Sequence, residues 1–196
     1  MTRVGAAIKA AVDCPIGINV LRNDAKAALS IAAAVGGDFI RVNVHTGAAV
    51  TDQGVIEGRA HETVRLRQQL GVETKILADL DVKHAAPLGR KRSIEAEIGD
   101  LVDRGHADGV IVSGPQTGHS VDSTVLSQAA DVVEQMGLST PLFVGSGLTV
   151  DTVDQLLSVA DGAIVGTALK AGGQTTNPVD VDRVEQLMGS VVELRE

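Results

Sequence analysis

The chain has 196 residues, 44% of them apolar, a formal net charge of -8 and one cysteine, Cys14. An acidic surplus repels phosphate backbones, and 2 Phe with no Trp or Tyr leave no aromatic platform for bases, so no nucleic-acid partner is expected. A lone cysteine rules out an internal disulfide or a multi-cysteine metal centre, and no apolar run reaches the roughly 18 residues of a membrane span; one cytoplasmic domain over residues 1–196, with a Val, Ile, Leu and Ala core, is expected.

In chain order, Met1–Val12 has helical spacing and ends at Asp13 to Pro15. An apolar run, Ile16–Leu21, reads as the first strand. Asp24 then caps an alanine-rich helix that stops at Gly36-Gly37. Phe39–Val44 is the second strand, and it feeds the longest loop of the chain, His45 to Gly58. Connections of that length usually serve as binding segments, so this one is read as a lid, with His45, Asp52 and Gln53 as its ligand contacts. A helix from Arg59 to Leu70, a strand at Lys75–Leu80 and a helix over Ser93–Arg104 follow. After them come a strand at Gly109–Val112, a helix over Ser123–Met136, strands at Leu142–Val144 and Ala163–Val165, and a last helix near Asp180–Leu194.

Strands of this length alternating with helices specify parallel strand-helix-strand units. The loops that follow strands are rich in Gly, Asn, Asp, His and Ser, whereas those leading into strands are short and plain. That asymmetry belongs to the carboxyl-end rim of a TIM (β/α)8-type barrel, here with six strand-helix units. Two glycine turns stand out at the last two strands: Gly145-Ser146-Gly147, read as opening directly onto a helix, and Gly166-Thr167. Paired turns at these places hold phosphate groups in such barrels, and the alternative is a pair of tight turns that need glycine for geometry alone.

Side chains alternate along a strand, so Asp79, Asp81 and Lys83 share a face, as do Arg41 and Asn43, and Asn19 is the polar member of the first strand. Converging under the glycine turns, Asn19, Arg41, Asn43, Asp79, Asp81 and Lys83 would suit proton abstraction beside a carbonyl, or aldol cleavage. Asp79 or Asp81 would be the base, and Lys83 would stabilise an enolate or form a Schiff base. Two other uses stay open. Arg41 and Asp79 can form a structural ion pair between strands, and His45, His84, Asp79 and Asp81 have the chemistry to hold a divalent cation, although without diagnostic spacing.

The strings INVLRNDA (Ile18–Ala25), DFIRVNV with HTG (Asp38–Gly47), VTDQGVIEG (Val50–Gly58), KILADLDVKHA (Lys75–Ala85), GVIVSGPQTG (Gly109–Gly118), VGSGLT (Val144–Thr149), ADGAIVGTALK (Ala160–Lys170) and NPVD (Asn177–Asp180) resemble the BtpA/SgcQ family over nearly the entire chain. Members of that family look like TIM barrels with about two further units ahead of this starting point. The resemblance therefore implies an absent N-terminal quarter and open strand edges that a homo-oligomer would cover. It implies the fold more firmly than the reaction. The leading expectation is a lyase or isomerase for a phosphorylated, sugar-like small molecule; the alternatives are a non-catalytic photosystem I biogenesis factor and an inactive remnant.

Overall fold

The computed structural model describes residues 1–51, 54–81, 85–89, 92–114 and 121–195. Helix α1 (Thr2–Ala11) precedes strand β1 (Gly17–Ile18), helix α2 (Ala25–Val35) and strand β2 (Phe39–Val42). A hairpin of β3 (Ala48–Thr51) and β4 (Gly54–Glu57) leads to helix α3 (Ala60–Leu70), strand β5 (Lys75–Asp81) and the short strand β6 (Ala85–Pro87). Helix α4 (Ile94–Gly99) runs into a π-helical turn (Asp100–Arg104) before strand β7 (Gly109–Val112). Helix α5 (Ser123–Gln135), strand β8 (Leu142–Val144), helix α6 (Val153–Leu157), strand β9 (Gly162–Ala163) and helix α7 (Val181–Arg195) complete the order. Six of the strands are parallel in the order β1-β2-β5-β7-β8-β9, an α/β fold of TIM type, and β4-β3-β6 form a separate sheet of three.

The chain divides into two compact units, Met1–Val110 and Ile111–Glu196. In the first, one face of β2 is buried through Ile40 and Val42 and packs with Ile18, Ala28, Leu29, Ala32 and Ile76 into an aliphatic core. Asp24 caps α2 by accepting the Ala27 amide at 2.9 Å, and Gly36 closes it in the left-handed conformation at φ 68°, where a side chain would be strained. The expected first strand is shorter than read: after Ile18 the chain turns through Asn23, at φ 67°. The Asn23 side chain then stands in for a strand. Its Nδ2 donates to the Val44 carbonyl at 2.8 Å and its Oδ1 accepts the Val44 amide at 2.7 Å.

The expected lid loop is a folded hairpin. Val50 pairs with Val55 and Thr51 with Gly54 in antiparallel register, and β3 pairs on its other side with β6. Alternating β-branched residues about a Gly turn explain this, and Pro87 sits where a missing amide costs least, on an edge strand. Asp52 and Gln53 lie outside the described residues.

A device that recurs in both units ties strand starts together. Asp38 donates its amide to the Ile16 carbonyl (2.8 Å) while its carboxylate accepts the Ile16 amide (2.7 Å). Asp108 does the same with Ile76 (2.8 and 2.9 Å), and Asp161 with Leu142 (2.9 and 2.7 Å). Each aspartate thus extends the ladder by one residue and fixes the register of neighbouring strands. The two phenylalanines serve the two end strands in the sheet order. Phe39 is the register partner of Gly17 and Phe143 of Gly162, and a Cβ on Gly17 would stand 2.1 Å from the Phe39 ring. The aromatic ring covers what glycine leaves bare.

Asp108 carries more than its clamp, because Arg67 donates to it at 2.5 Å and Lys75 lies 3.4 Å away. Asp108→Ala should therefore lower the unfolding free energy by about 2 to 3 kcal/mol, read from urea midpoints. Asp38→Ala, at an exposed clamp, should lose clearly less.

Candidate functional site

In the first unit the polar groups gather on the face of β2 opposite its core side. Parallel register sets Arg41 beside Leu77 and Val42 beside Ala78, which brings Asn43 level with Asp79 where both strands reach their carboxyl ends. The Asp79 side chain has no solvent exposure. Arg41 Nη2 donates to its Oδ1 at 2.8 Å, while Arg41 Nε (3.3 Å) and Asn43 Nδ2 (2.5 Å) donate to Oδ2. The structural ion pair weighed in the sequence reading is thus formed. A carboxylate so engaged fixes the orientation of Arg41 and Asn43.

Asn19 is half-buried beyond β1. Asp81 ends β5, with its side chain outside the described residues, and Lys83, like His84, lies outside them altogether. Among the described residues no group of three or more His, Cys, Asp or Glu is disposed to hold a metal ion.

His45 is placed differently from the lid contact expected of it. It is 1% exposed, and its Nε2 stands 2.8 Å from the Gly105 carbonyl. A carbonyl only accepts, so Nε2 carries the proton, and Nδ1 is a buried acceptor without a partner among the described residues. The π-helical turn sets this contact up: at Gly105 a Cβ would meet the Leu101 carbonyl at 2.7 Å and the His45 ring at 3.0 Å. His45 is thus packed inside the first unit.

In the second unit the turn after β8 is built around two serines. Ser146 Oγ accepts the Gly114 amide at 3.0 Å, and a Cβ on Gly145 would fall 2.1 Å from Ser113 Oγ, so only glycine fits there. Gly147 is left-handed at φ 78°. The turn does not open directly onto a helix, contrary to the sequence expectation. Thr152 Oγ1 accepts the Thr149 amide (2.9 Å) and donates to the Gly147 carbonyl (3.1 Å), which folds the intervening residues into turns and delays α6 until Val153. A helix dipole is therefore no part of this turn.

Its amides remain: among the described residues, those of Gly147 and Leu148 donate no hydrogen bond, although Leu148 is buried. After β9, Gly166 and Thr167 open a 3-10 turn (Thr167–Leu169), and there the amides of Gly166, Thr167 and Ala168 are likewise unclaimed. Runs of outward amides make concavities for anions.

The model of the BtpA family matches residues 1–193. An uncharacterised protein of Thermococcus kodakarensis is 47% identical over 193 residues, covering 98% of this chain and 71% of the relative. The photosystem I biogenesis protein BtpA of Synechocystis is 44% identical, covering 98% of this chain and 66% of its own length, so the chain spans about two thirds of that relative. Among solved structures, N-(5'-phosphoribosyl)anthranilate isomerase from Pyrococcus furiosus matches with a TM-score of 0.64 at 15% identity, over 98% of this chain and 81% of that one. At that identity the likeness is one of fold.

Burial holds the His45 pKa below its usual value, the Gly105 contact opposes this, and the nearby Arg67 charge adds to the lowering. A lowered folded pKa means that the unfolded chain takes the proton first. His45 therefore contributes stability above about pH 6.5, and it loses that contribution as the pH falls toward the lowered folded value. The urea midpoint should drop between pH 7.5 and pH 5.5 (both on the order of a unit from 6.5), with a flatter profile in His45→Gln.

Proposed function

The chain belongs to the BtpA family, and on that premise we propose that it acts as a lyase or isomerase on a phosphorylated, sugar-like small molecule. The observation that carries this reading is the pair of turns after β8 and β9, where the amides of Gly147, Leu148, Gly166, Thr167 and Ala168 are unclaimed among the described residues. Loops following the last two strands are where TIM-type enzymes take up phosphate. The solved isomerase that shares this fold carries a phosphoribosyl group in its substrate's name.

In the first unit, the Arg41 guanidinium, aimed by Asp79 and backed by Asn43, suits negative charge that develops on a carbonyl oxygen as the neighbouring carbon loses its proton. Asp81 would take that proton, Lys83 would assist at the oxygen, and Asn19 would bind the substrate. Asp79 is then a positioning residue.

A second reading, a binding protein without chemistry, is favoured by the 44% identity to the protein named for photosystem I biogenesis. The two readings part on turnover.

A panel of sugar phosphates should raise the melting temperature, and Gly147→Asp, which puts an anion at the turn and strains a left-handed position, should abolish the rise. No rise with any phosphate ester would count against the reading. Asp79→Asn should retain most of the phosphate-dependent rise. Once a substrate is found, it should lower kcat by about a hundredfold or more, with little change in KM.

A further inference from the structure

We propose a second ligand site in the first unit, for an amphiphilic organic anion with an aliphatic body and a carboxylate or phosphate head. A cleft of about 780 Å³ opens between the start of α2, the hairpin strand β4 and α3. Its size falls in the range of ~300–1,000 Å³ usual for small-molecule sites. It lies away from the Arg41–Asn43–Asp79 cluster. Val42 and Val44 line it, whereas Arg41 and Asn43 leave β2 on the other side to reach Asp79.

The wall of the cleft is apolar at Val42, Val44, Ile56 and Leu66, and Val55, 56% exposed, completes it from the hairpin. An exposed valine at the mouth of an aliphatic hollow is surface that a hydrocarbon body would cover. The rim carries Arg22, Lys26, Arg59 and Arg65 against Asp24, Glu57 and Glu62, a positive balance on a chain whose net charge is -8. Two of the acids are already committed: Asp24 caps α2, and Glu62 pairs with Arg59 at 3.3 Å. Among the described residues, Lys26 and Arg65 have no acidic partner. They are the cations left to meet a charged head.

The site is preformed. The two Asn23–Val44 hydrogen bonds pin the Arg22–Lys26 turn to the end of β2, and the β3–β4 pairing fixes Val55 and Ile56 opposite. A fixed cleft spares a ligand the cost of ordering its walls.

The test is calorimetric titration of the 196-residue chain with octanoate, octyl phosphate, octanol and inorganic phosphate. Saturable binding of octanoate or octyl phosphate, tighter than of octanol and of inorganic phosphate, is expected, and the tighter of the two anions identifies the head group. The double variant Lys26→Glu/Arg65→Glu changes two exposed side chains, leaves the core intact and should weaken binding about tenfold or more. Val55→Trp should block the cleft, and Gly147→Asp should leave octanoate binding unchanged. The proposal is overturned by no saturable binding, by octanol binding as tightly as octanoate, by indifference to both cleft variants, or by loss of octanoate binding in Gly147→Asp. Since Gly147→Asp is the variant that removes the phosphate-ester response, the fates of the two sites are read separately.

Discussion

The polar face of the first unit depends on a carboxylate taken out of water. Asp79 has no exposed side-chain surface and, among the described residues, accepts from Arg41 Nη2, Arg41 Nε and Asn43 Nδ2. Such a charge is stable only while its partners stay in place, and removing one partner typically costs ~3–5 kcal/mol. The ion pair is weak evidence for stability, since an apolar pair of the same volume often does as well. It does impose geometry: the guanidinium and the amide are set in one orientation at the carboxyl ends of two adjacent strands, the place where this class of fold does its chemistry.

That arrangement rests on register, and register is where the aspartate clamps act. A slip of one residue would turn Arg41 and Asn43 into the aliphatic core and bring Ile40 and Val42 out of it. Three aspartates placed just before strands, at 38, 108 and 161, each lock a neighbouring strand by a reciprocal pair of hydrogen bonds. The two end strands, only two residues long, gain cover from Phe39 and Phe143 over Gly17 and Gly162. A chain poor in aromatic residues thus places both of its phenylalanines where the sheet is thinnest.

Much of this was legible in the sequence, for physical reasons. The branched aliphatic runs, the Asp24 cap and the glycines closing α2, α3 and α5 are local signals, and local signals placed the parallel strands and most helices within a few residues. The hairpin also has a local signal, in the β-branched residues of AAVT and GVIE, but the length of the segment points instead to a lid, and only strand pairing decides between the two. The clamps had a signal too, in the recurrence of Asp before Phe-Ile, Gly-Val-Ile and Gly-Ala-Ile. Other features could not be read. The burial of His45 depends on a π-helical turn sixty residues away, and the delayed start of α6 depends on a Thr152 hydroxyl that competes for the turn's backbone groups. Both are tertiary choices that no window of neighbours contains.

The central claim is that the amides following β8 and β9 are the seat of a phosphate group. Amide chemical shifts of the ¹⁵N-labelled protein, titrated with ribose 5-phosphate and separately with ribose, test it most directly. The account predicts that the Gly147, Leu148, Gly166, Thr167 and Ala168 resonances move downfield and saturate with the phosphate ester alone. Resonances that stay fixed at these five positions, or that move equally with ribose, would contradict it.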